Sequence, residues 1–118
     1  MYFVDRDKLE ATLNYIEENI QLFESQPSWS TTIELKALER ISHALIDSIL
    51  DVGNAMIDGF IMRDPGSYED IIDILEDEKV LSKDHANGMK SIILLRKGIV
   101  QDYMSIDHDH LHNKINES

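Results

Sequence analysis

The chain has 118 residues, 42% of them apolar, and a formal charge of −12, which predicts one globular domain spanning 1–118 with a core of its own. The absence of cysteine excludes disulfides, iron–sulfur clusters, thiolate zinc sites and cysteine nucleophiles. The charge argues against DNA and general nucleic-acid binding, because phosphate neutralisation needs clustered Lys and Arg.

No apolar run approaches a membrane span, and the charged start MYFVDRDKLE is unlike a secretory signal, so a cytoplasmic protein without a membrane partner is expected. The acids are unevenly spread. Glu69, Asp70, Asp73, Glu76, Asp77 and Glu78 follow one another without a base, whereas residues 85–101 hold Lys90, Arg96 and Lys97 without an acid. Exposed charges act over only about 8 Å at physiological salt, so a local cationic site survives on this surface. RNA binding there would be weak, salt-sensitive and focused on Arg96 and Lys97.

Two prolines interrupt the chain, and no run alternates apolar and polar residues over the length of a strand, so the predicted fold class is all-α. The first helix is expected over 5–25, with Leu9, Leu13, Ile16, Ile20 and Phe23 forming one apolar stripe opposite Glu10, Glu17, Glu18 and Glu24. Pro27 in SQPSWS ends it. The second starts at Thr31, where Thr31 and Glu34 have capping-box spacing, and runs to about Ile61. Its apolar residues cover more than one face, which makes it the central helix. They exceed what a small bundle can bury, which predicts a homodimer.

A polar stripe also follows this helix: Arg40, His43, Asp47, Asp51, Asn54 and Asp58. Solvent exposure accounts for such a stripe; a groove lining or a subunit contact is the alternative. Gly53 and Gly59 each weaken a helix interior by up to about 1 kcal/mol, and close approach of a neighbouring backbone would explain them. MRDPGSYED is a turn, with Ser67 as N-cap of a third helix over 68–77. A fourth starts after Ser82 and reaches Arg96; a break is expected near Lys97–Gly98, with helix resuming at Ile99 and running into the tail. The architecture is a compact antiparallel bundle of four to five helices.

The stretch ILLRKGIVQDY, residues 93–103, raises a geometric question. On one continuous helix, Arg96 and Gln101 point about 140° apart, whereas Arg96 and Tyr103 share a face. For Arg96 and Gln101 to act on one ligand, the helix must break or two subunits must each contribute. A core helix whose exit is decorated with polar residues is the plainer account.

Over nearly its whole length the chain resembles the HepT-like branch of the HEPN superfamily, small all-helical ribonucleases of bacterial toxin–antitoxin pairs. The resemblance rests on ERISHALIDSILDVGNAMI, RDPGSYEDIIDILEDEKVL and LLRKGIVQDYMSID. That family carries Arg, four residues, His, one residue and Tyr at the last of these. Arg96 and Tyr103 match; Gln101 stands where the histidine should be. The family's last helix is longer, so part of it is expected to be missing here.

The resemblance implies a homodimer with its two motif sets facing each other across a cleft, and cleavage of RNA without a metal or cofactor. Arg96 would pair with phosphate, with Lys97 and Asp102 as supporting neighbours. The histidine would be the base, a role closed to the Gln101 amide at neutral pH, and losing such a group typically lowers a rate by about 10²–10⁴-fold. Either activity is weakened, or cleavage is given up and the fold kept as an inactive interaction partner. His43 is the candidate substitute base; a solvent-exposed histidine is the other reading. The resemblance further implies a minimal nucleotidyltransferase antitoxin that transfers AMP to Tyr103, placing charge beside Arg96. A tyrosine packed at a helix edge is the alternative. In the tail, His108 and His112 could share a metal on a helix, though a flexible polar terminus without one is expected.

Overall fold

The computed structural model describes residues 5–60 and 62–117. Its elements are α1 (Arg6–Ser25), α2 (Thr32–Gly59), α3 (Tyr68–Asp77), α4 (Lys83–Ile93), α5 (Arg96–Val100) and α6 (His108–Glu117), with no strand among the described residues. Five of these are full helices; α5 is little more than one turn.

Five helices begin where a side chain satisfies an otherwise unpaired backbone N–H of the first turn, α6 among them through the bond from the His110 N–H to Asp107 Oδ1 at 3.0 Å. Asp5 accepts from the Lys8 N–H, Ser67 from Asp70 and Ser82 from His85. At α2 the capping box predicted for Thr31 and Glu34 is complete: Thr31 accepts from the Glu34 N–H at 3.1 Å, and the Glu34 carboxylate accepts from the Thr31 N–H at 2.9 Å. Those bonds hold the Glu34 carboxyl below its usual range, the Thr31 backbone contribution being the largest. At the far end of α3, Lys79 takes the left-handed region (φ 62°), and the Val80 N–H closes back on the Leu75 carbonyl at 2.9 Å. This is a helix stop in which glycine is the usual residue.

With 28 residues, α2 is about 42 Å long and spans most of the 50 Å long dimension of the molecule. α1 lies along it; α3, α5 and α6 also pack on it, and α4 packs on α3 and α6. Leu38, Ile41, Leu45, Ile46, Leu50 and Ile57 of α2 are buried against Phe23, Ile71, Ile72, Ile74, Leu75, Ile93, Ile99, Leu111 and Ile115.

Two expectations change here. Open apolar surface is not confined to α2, where Ile33 is exposed and Val52 and Met56 are half-buried; it also lies beside the motif, where Leu94, Val100, Tyr103 and Met104 are exposed. The stripe on α1 is also incompletely covered. Phe23 is buried, but Leu13 and Ile20 are exposed and line an open apolar groove with Val52, Met56, Met89 and Ile92.

Gly53 is explained by close packing, although side chains rather than backbone make the approach. A β-carbon there would sit 2.5 Å from Ile71 Cγ2 and 3.6 Å from Leu75 Cδ1. The expected end of α2 at Ile61 lies outside the described residues; the helix is assigned to Gly59. The tail is not loose chain: α6 buries Leu111 and Ile115 against the core.

Candidate functional site

The bend near the motif comes earlier than predicted. α4 ends at Ile93, and the Leu95 N–H turns back to the Ile92 carbonyl at 3.0 Å, a tightened turn that keeps helical dihedrals at Leu94 and Leu95. Gly98 lies inside α5, in open space, and marks no break. Packing explains the position. Ile92 to Leu95 are four consecutive apolar residues, and one straight helix cannot turn them all inward. The bend leaves Leu94 exposed while Ile93 and then Ile99 enter the core.

Arg96, the first residue of α5, faces α2. Its Nε donates to Asp47 Oδ1 at 2.9 Å, and its guanidinium carbon lies 5.0 Å from the centre of the Tyr68 ring, a cation–π distance. The other Asp47 oxygen, Oδ2, is 2.9 Å from His43 Nε2, one turn earlier on the same helix. One carboxylate therefore holds a histidine and an arginine, the latter 49 residues away in sequence. The Asp47 hydrogen bond pushes the Arg96 pKa further up, aided by its charge, so the group is a permanent cation. The Arg96 side chain keeps 27% exposure, and its terminal nitrogens have no hydrogen-bond partner among the described residues. The site thus offers an edge fixed by Asp47 and an open fork that suits two oxygens of a phosphate.

The remaining motif residues stand apart from this cluster within one chain. Lys97, Gln101 and Asp102 are exposed, and Tyr103 is 61% exposed. Gln101 caps α5 with helical dihedrals, its N–H bonded to the Lys97 carbonyl at 2.9 Å. Arg96 and Gln101 therefore leave one helical segment about 140° apart, and the expected break that would join them is absent. The tail histidines are separated in use: His108 Nε2 is 2.8 Å from Glu39 Oε2, and the His112 ring lies 5.1 Å from Phe23. No group of three potential metal ligands occurs among the described residues. No helix there is long and apolar enough to cross a membrane.

Motif spacing does not mark Asp47 and Tyr68 as neighbours of Arg96. Asp47 had a legible signal, since His43 and Asp47 sit four residues apart on the polar stripe. Tyr68 had none, because its contact depends on how α3 packs.

The chain has counterparts among known proteins. The Bacillus subtilis (strain 168) protein named "Putative RNase YutE" is 53% identical over 115 residues, covering 98% of this chain and 80% of that protein. A solved structure of YutE from Bacillus subtilis, described as a cytosolic protein of unknown function, matches with a TM-score of 0.96 at 52% identity, over 99% of this chain and 82% of the other. A profile of the family described as Ribonuclease HepT-like matches residues 9–118, and the chain therefore belongs to the HepT-like ribonuclease family.

Proposed function

We propose that this chain is a cytoplasmic, metal-independent endoribonuclease of weakened activity, the toxin of a toxin–antitoxin pair. The observation that carries the reading is the presentation of Arg96. Its Nε edge is tied to Asp47 while its terminal nitrogens are open and partly exposed. A guanidinium serving only the fold would have little reason to leave its fork unfilled. Arg96 binds the phosphate and stabilises the charge that builds on it during attack by the 2′-hydroxyl. Lys97, on the exposed side of α5, adds attraction that falls with salt. Asp102 is a supporting neighbour.

Because α5 is unbroken between Arg96 and Gln101, a site using both residues takes them from two subunits. The exposed apolar residues Leu94, Val100, Tyr103 and Met104 around the motif support a homodimer formed at this end. Silencing follows from Tyr103, whose exposed ring is available to a nucleotidyltransferase. Its phenolic oxygen attacks the α-phosphorus of ATP, loses its proton and releases pyrophosphate; the attached AMP brings negative charge near Arg96.

The test is cleavage of single-stranded RNA by the native protein, Arg96→Ala and Gln101→His, with light scattering at micromolar concentration. Slow native cleavage, its loss in Arg96→Ala and a gain in Gln101→His support the reading; a monomer, or a native rate unaffected by Arg96→Ala, overturns it. A second reading is favoured by Gln101 itself: a dimer without catalysis that docks a minimal nucleotidyltransferase. It predicts complex formation with that partner and no cleavage by the native chain.

A further inference from the structure

Gln101 leaves α5 without a proton acceptor, yet a histidine stands beside Arg96 on the neighbouring helix. His43 Nε2 and Arg96 Nε bind the two oxygens of Asp47, each at 2.9 Å. The four-residue spacing on α2 sets His43 and Asp47 on one face. A carboxylate facing Nε2 favours the neutral tautomer protonated on that nitrogen, and Nδ1 is then the acceptor. The His43 side chain is 31% exposed, so a substrate can reach the ring. One carboxylate thus holds both groups side by side. A base oriented by a third group, beside a cation, is the arrangement that activates a hydroxyl nucleophile.

We propose that His43 is the general base of this chain, in place of the motif histidine; the assignment rests on the ribonuclease reading above. His43 Nδ1 takes the proton of the 2′-hydroxyl as the 2′-oxygen bonds to the adjacent phosphorus. The bond from phosphorus to the 5′-oxygen breaks, and that oxygen leaves with the electron pair and takes a proton from water. The resulting hydroxide recovers the proton from His43. The products are a 2′,3′-cyclic phosphate and a free 5′-hydroxyl. Asp47 is a positioning residue for both partners. The scheme has a base and no dedicated acid, so it predicts slow cleavage and leaves room for Gln101→His to accelerate it.

The experiment compares the native protein, His43→Ala and His43→Gln on a single-stranded RNA. Affinity is measured in parallel on the same oligonucleotide carrying 2′-O-methyl sugars, which remove the nucleophile and keep an RNA strand. The glutamine variant retains a donor for Asp47 and so keeps Arg96 in place. Both variants should cleave about 10²–10⁴-fold more slowly while binding the uncleavable strand as the native protein does. Added imidazole should restore part of the His43→Ala rate and none of the Arg96→Ala rate. Native-like cleavage by His43→Gln would overturn the assignment while leaving the ribonuclease reading intact. Parallel loss of binding and cleavage without imidazole rescue would reduce His43 to a structural residue. A native protein that does not cleave at all removes the ribonuclease reading and this assignment with it.

Discussion

Two arginines flank α2, each paired with an aspartate, and the pairs differ in which edge of the guanidinium the carboxylate takes. Arg63, just beyond α2, donates from both terminal nitrogens to the two oxygens of Asp70 on α3, at 2.7 and 2.9 Å, and Asp70 also accepts from the Gly66 N–H at 2.9 Å. Its fork is filled and the turn between α2 and α3 is tied. Arg96 gives Asp47 only its Nε and keeps the fork open. The same residue types thus make a closed clamp in one place and a cation with an open fork in the other. On the reading proposed above, the edge used, more than the presence of an ion pair, separates scaffold from site.

The strongest way to break this comparison is to remove each arginine in turn. Arg96→Ala should lower RNA cleavage by about 10²–10³-fold, the usual effect of removing a group that stabilises developing charge. Arg63→Ala should leave the cleavage rate of the folded protein unchanged. Equal losses in a single-turnover assay would erase the distinction. Next in size, Gln101→His should raise cleavage at least about tenfold, within what an added acid–base group supplies; an unchanged rate would mean that Gln101 lies outside the reacting cleft.

Glycines sharpen the contrast between the closed and open sides. Gly53→Ala drives a β-carbon into the buried Ile71 methyl and should destabilise by about 1–3 kcal/mol. Gly98→Ala meets nothing within 4 Å and should stabilise by up to about 1 kcal/mol. Urea titrations of the two variants check the opposite signs.

The smallest effect belongs to the clamp under acid. The Arg63 hydrogen bonds, then that from Gly66, pull the Asp70 carboxyl from 3.8 down to about 2. A depressed folded-state pKa means that the unfolded chain binds the proton first as pH falls. The pair's contribution is therefore full above about pH 4 and is lost progressively toward pH 2. Asp70→Asn should show less acid destabilisation across that window and no altered pH dependence above it, as measured by urea midpoints at stepped pH.

Much of the fold is legible because local chemistry dictates it. Thr31 with Glu34, Ser67 and Ser82 each announce a helix start through a bond spanning three residues, and each lies where the sequence places it. The bend before Arg96 is not legible. Gly98 is the obvious breaker, but the turn falls at Leu94–Leu95 because the core can accept Ile93 and Ile99 and not Leu94. The candidate site is half legible for a similar reason. Arg96, Gln101 and Tyr103 follow from motif spacing, and the His43–Asp47 pair from helical period. The bond joining Asp47 to Arg96 crosses 49 residues, and only tertiary packing determines it.

α5 has five residues, too few to hold a helical shape alone. Its stiffness is borrowed: Ile99 anchors it in the core, and Asp47 ties it to the longest helix of the molecule. On the proposed reading, the guanidinium needs little reorganisation to meet an anion, and the barrier to engagement lies in encounter and desolvation. A regulator gains little by trying to unseat such a group. Covering it, or stationing a competing anion nearby, is the more economical means of control.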